Sequence, residues 1–124
     1  MDKFATQTTS IAFLYDLNKR KRIKYEDNIN REEWRKWGKN KRQSFIEYLK
    51  KDFPVRPILC YTLMEESELT YHICDGYNRI RAIMKYLSHT MDQDLMNKLL
   101  VLEIVPSNIS ESDLNQIYQF LGGG

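Results

Sequence analysis

The sequence predicts a small α+β domain: a short mixed sheet containing one hairpin, packed by four to five helices. Three observations carry this. Ile58 to Met64 is apolar, and Leu69, Tyr71 and Ile73 alternate with Thr70, His72 and Cys74, the period of a strand; only Glu65-Glu66-Ser67-Glu68 separates the two runs. Apolar residues recur at helical spacing in the flanking stretches. The 124 residues, 42% hydrophobic and 29% charged, suit one domain that buries a core without metal or disulfide staples. That domain is expected to fill 1–124, with its core over about 10–121 and a flexible Gly122-Gly123-Gly124 tail.

The elements follow in order. A first helix starts near Ser10, with Thr8, Thr9 or Ser10 as cap and Phe13, Leu14 and Leu17 on one face. Arg22 to Tyr25 reads as a short strand, and Glu26 to Trp37 as a polar loop or helical turn holding Trp34 and Trp37. Lys41 to Phe53 is a helix with Phe45, Ile46, Leu49 and Phe53 inward, stopped by Pro54 and Pro57. After the hairpin, Ile80, Ile83, Met84 and Leu87 share a helix face. Met91 to Leu99 forms another short helix, and Leu100 to Val105 a buried strand closed by Pro106. Ser110 with Asp113 three residues on resembles a capping arrangement, opening a last helix with Leu114, Ile117, Tyr118 and Leu121 on one side.

Several classes of function are disfavoured. Cys60 and Cys74 sit in strands, form no CxxC or Cys/His zinc spacing, and read as reduced core residues. No apolar run approaches the ~20 residues that span a bilayer, and the polar N-terminus lacks a signal-peptide core. A cytoplasmic protein with no membrane partner is expected. Net charge is +2, yet the half up to Thr62 is strongly basic and the other half acidic. The basic excess includes Lys19-Arg20-Lys21-Arg22, a candidate nucleic-acid contact; the alternative is a solvated face.

The segment Asp75-Gly76-Tyr77-Asn78-Arg79 falls where a strand gives way to a helix. Helix N-terminal amides lack intrahelical partners and attract anions. Gly76 permits a sharp turn, and Arg79 offers a two-donor fork for phosphate oxygens. Asp75 can hold Mg²⁺ or orient a nucleophile, and Asn78 can bond a phosphate, a base or the loop. The competing reading makes Asp75 a cap, Gly76 a turn residue and Arg79 the partner of Asp75.

These residues bear a likeness to a known family. Gly76-x-x-Arg79-x-Arg81-Ala82 resembles the G-x-x-R-x-R-A box of ParB-type nucleotide-binding domains. Asp75-Gly76-x-x-Arg79 is similar to the D-G-Q-Q-R motif at the N-terminus of GmrSD-type restriction enzymes, with Tyr77-Asn78 in place of the two glutamines. Arg42 to Glu47, Phe53 to Ile58, Leu102 to Ile104 and Ser110 to Leu121 resemble further segments of that family. The resemblance implies a ParB/sulfiredoxin-like fold and a nucleotide-phosphate site at Gly76, Tyr77, Asn78 and Arg79, with Arg31 in support. It implies Asp75 and Arg79 as catalytic residues of a Mg²⁺-dependent nucleoside-triphosphate hydrolase, with Asp75 on the metal. DNA defence or DNA processing is the implied setting, with DNA and a separate nuclease or regulatory chain as partners. The alternative is a non-catalytic nucleic-acid-binding or protein-interaction module of the same fold. Sulfiredoxin chemistry is not expected, because Tyr77 stands where the reactive cysteine would be.

Other residues have plainer readings. His72 could serve as a base but more often would be half-buried and hydrogen-bonded. His89 follows a helix end, Trp34 and Trp37 suit packing over the first helix, and Glu32, Glu33 and Glu47 suit helical charge pairing.

Overall fold

The computed structural model describes residues 3–25 and 36–122. Chain order is β1 (Ala5–Ser10), α1 (Ile11–Lys19), β2 (Ile23–Tyr25), α2 (Lys39–Lys50), β3 (Ile58–Glu65), β4 (Glu68–Asp75), α3 (Tyr77–His89), α4 (Gln93–Met96), β5 (Leu99–Ile104) and α5 (Glu111–Ile117). The fold is α+β: a five-stranded mixed sheet in the order β1-β5-β3-β4-β2 with helices on both faces. β1 runs antiparallel to β5 and β3 antiparallel to β4, while β3–β5 and β4–β2 are parallel. Among the described residues no helix is long and apolar enough to cross a membrane.

The hairpin turn is Glu66-Ser67, with φ of 54° and 67°. Left-handed backbone at both central residues gives the twist that two-residue hairpins favour, here without a glycine. Side-chain caps start three helices: Ser10 accepts from Phe13 N–H, Asp92 from Leu95 N–H and Ser110 from Asp113 N–H.

The main core packs α1 to α4 on one sheet face. Leu14, Ile46, Ile80, Ile83 and Leu95 meet Ile58, Cys60, Ile73 and Leu102 there. A smaller cluster of Leu59, Cys74, Val105 and Leu114 lies on the other face beneath α5. The cysteines therefore point to opposite faces; both are free and buried. Burial pushes the Cys60 thiol up to about 12, with Glu103 adding to the rise.

Some expectations change. β1 is a strand where only cap residues were expected; its Thr-rich register against β5 pairs Thr6 with Glu103 and Thr8 with Val101. Phe13 faces outward, edge-on to Tyr71, and Ile11 takes the core position. α2 ends before Phe53, which is half-exposed. α5 passes at Tyr118 into a π-helical turn, leaving Leu121 exposed.

Candidate functional site

β4 turns into α3 through Gly76, whose φ of +125° and ψ of 12° suit glycine alone. A Cβ there would lie 2.6 Å from Ile58 Cδ1 and 3.2 Å from its Cγ2. The same point is 3.4 Å from Arg79 Nη2, so the Arg79 guanidinium folds back over the turn. Arg79 donates to the carbonyl oxygens of Arg56 and Pro57, tying α3 to the segment that leads into β3. Its Nη2 lies 3.7 Å from Asp75 Oδ2, and Arg56 Nη2 lies 3.7 Å from Asp75 Oδ1. Asp75, Asn78 and Arg79 are exposed by only 1%, 1% and 5%.

The motif residues are thus brought together, but as a buried lock. The Arg79 fork, expected to face phosphate, faces carbonyl oxygens, and the Asp75–Arg79 ion pair of the plainer reading is present. Asp75 does not fit Mg²⁺: a 1% exposed carboxylate facing two guanidinium groups sits in a field that repels a divalent cation. Among the described residues no cluster of three or more His, Cys, Asp or Glu could hold a metal.

Tyr77 is half-buried, its ring edge-on to Tyr25 at 4.9 Å. Burial foremost, then Tyr77, pushes the Tyr25 phenol up to about 12. Arg31 and Trp34 lie outside the described residues.

Sequence reasoning missed how α2 and α3 start. The Trp37 N–H donates to Asn78 Oδ1 at 3.0 Å, joining the residue before the α2 cap to the first turn of α3. At the far ends Lys50 bonds Asp92 at 2.8 Å, and Tyr86 O–H donates to the same carboxylate at 2.7 Å. The two helices therefore lie side by side with the same polarity. Their caps, Gly38 and Gly76, are the two that offer no side chain to the first-turn amides. Lys36, Lys39, Lys41 and partly buried Arg42 gather at the α2 start; the Lys41 ammonium sits 5.1 Å over the Trp37 ring and Arg42 donates to the Trp37 carbonyl. Trp37 packs on Phe45 of α2 at 5.4 Å, rather than over the first helix as expected. A glycine directly before a lysine-rich helix was the available signal.

The Lys19–Arg22 run is elsewhere and partly neutralised. Arg20 pairs with Asp16 and Glu68; Arg22 pairs with Glu66 and Glu68 and bonds Thr70. The Arg22 carbonyl accepts from Tyr71 N–H, four residues before Asp75, so the near end of the run lies roughly 13 Å from the motif at ~3.3 Å per residue. His72 Nε2 lies 3.2 Å from Glu65 Oε1, and its ring stacks on Tyr61 at 4.7 Å, the hydrogen-bonded reading of that histidine. His89 is exposed at the end of α3.

Comparison with models of known protein families, with curated proteins and with solved structures finds no match to this chain.

Proposed function

We propose that this chain is a nucleotide-phosphate-binding domain of ParB/sulfiredoxin-like type, serving DNA defence or DNA processing. The phosphates sit at the shared start of α2 and α3. One observation carries the reading: the Trp37–Asn78 hydrogen bond sets two glycine-capped helix starts of the same polarity side by side. Each helix dipole places roughly half a positive charge there, and Lys36, Lys39, Lys41 and Arg42 add full charges. Arg79 is a positioning residue in this reading. By holding the Gly76 turn against the carbonyls of Arg56 and Pro57, it fixes the direction of α3.

The charge around Asp75 favours binding over hydrolysis, since a carboxylate facing two guanidinium groups is poorly placed to hold Mg²⁺. The expected role is recognition of a nucleoside triphosphate, with turnover left to another chain.

Calorimetric titration with ATP and with inorganic triphosphate, with and without Mg²⁺, tests this. Asn78→Asp keeps an oxygen to accept from Trp37 N–H but adds a negative charge at the helix starts. It should weaken both ligands at least about tenfold, a change of ~1.4 kcal/mol. Equal binding by the folded variant, or no binding by the parent protein, removes the reading.

A further inference from the structure

A groove of about 550 Å³ lies between α2 and α3, and the buried motif residues are not in its walls. Lys39, Arg42 and Lys50 line it from α2, and Lys85 and His89 from α3. Its floor is Ile46, Ala82 and half-buried Tyr86. Lys50 is neutralised by Asp92. Lys39, Arg42 and Lys85 have no carboxylate partner among the described residues, and Glu47 is the one acid on the walls. The groove therefore carries excess positive charge, from Lys39 and Arg42 on α2 and Lys85 on α3.

We infer that this groove binds single-stranded nucleic acid through its phosphates. A single strand offers unpaired bases for stacking as well as phosphates, which a duplex does not. Cations on both walls flank the strand, and the Tyr86 ring on the floor offers a surface on which a base can stack. The Lys19–Arg22 run is a poorer candidate, since Arg20 and Arg22 already face Asp16, Glu66 and Glu68. The groove shares Lys39 and Arg42 with the triphosphate reading, but Lys85 lies about 10 Å along α3 from Asn78 at ~1.5 Å per residue, so Lys85 separates the two.

Fluorescence anisotropy with a labelled oligothymidylate, without nucleotide, tests it over a range of salt. Three phosphate contacts give a slope of log affinity against log salt of roughly −2, at about −0.7 each. Lys85→Gln should flatten the slope by about 0.7 and weaken binding at low salt, with triphosphate binding unchanged. Glu47→Gln should tighten binding by roughly threefold or more by removing the opposing charge, a gain that misfolding cannot produce. Lys19→Gln with Lys21→Gln should leave the slope alone. No binding at low salt, an unchanged slope in Lys85→Gln, a loss carried by the Lys19/Lys21 variant, or equal affinity for a duplex each overturns the inference.

Discussion

The backbone N–H of Trp37 meets Asn78 Oδ1 at 3.0 Å, and Asn78 is 1% exposed. This bond holds the two longest helices start to start across 41 residues of sequence. Asn78→Ala leaves the Trp37 donor without its partner and should cost about 1–3 kcal/mol in denaturant unfolding. Asn78→Asp should cost less, since a carboxylate still accepts and is favoured near a helix N-terminus. Equal losses would show that the amide nitrogen of Asn78, not its oxygen, does the holding.

Gly76 meets two constraints, its left-handed φ and the 2.6 Å approach of Ile58 Cδ1. Gly76→Ala should destabilise by at least about 1–3 kcal/mol from backbone strain alone. Removing that methyl with Ile58→Val should recover part of the loss, so the double variant should be more stable than the two single losses added together. Strict additivity in urea unfolding would mean that the contact relaxes elsewhere.

Arg79 is 5% exposed and bonds two carbonyl oxygens beside Asp75. Arg79→Ala leaves a buried carboxylate with one fewer cation and should cost about 3–5 kcal/mol. Arg79→Lys should recover little, because one ammonium lacks the planar fork that reaches both carbonyls. Thermal unfolding of both variants checks this; a stable Arg79→Ala protein would return Arg79 to a ligand-facing role.

Acid should unfold the protein partly through two carboxylates. The Lys50 hydrogen bond above all, then Tyr86 and the Leu95 amide, hold Asp92 well below the usual carboxylate range. Thr70 and then His72 lower Glu65. A lowered folded pKa adds stability that is complete above the unfolded value near ~4 and fades as pH falls through the folded value. Lys50 is raised by the same Asp92 contact, so its share is present below about 10.4 and fades at more alkaline pH. Asp92→Asn should therefore flatten both limbs of a stability–pH curve. Parallel curves for parent and variant would separate Asp92 from either limb.

Cys60 and Cys74 should resist thiol reagents in the native state, as both are buried and burial raises Cys60 to about 12. Labelling should appear only with unfolding. Rapid native labelling of either would mean that the sheet opens locally.

The hairpin was legible because its alternation and short polar turn are local signals. α3 was legible because Ile80, Ile83, Met84 and Leu87 all fall on one buried face. The Asp75–Arg79 pair was legible as an i, i+4 spacing. Its burial was not, because it depends on Ile58 and on the carbonyls of Arg56 and Pro57, brought in by β3. β1 escaped because its Thr-rich sequence has no apolar alternation, and β5 supplies its pairing from nearly a hundred residues away. The α2–α3 alignment depends on one side-chain oxygen reaching one backbone amide, a contact that no periodicity encodes.

The partnership of β1 with β5 dictates an order of events during synthesis. Ala5 pairs with Ile104, so β1 emerges from the ribosome long before its neighbour among the described strands exists. The β3–β4 hairpin and the helices around it can condense meanwhile, while β1 waits unpaired. Such a long wait slows folding and leaves an open strand edge to be shielded by chaperones.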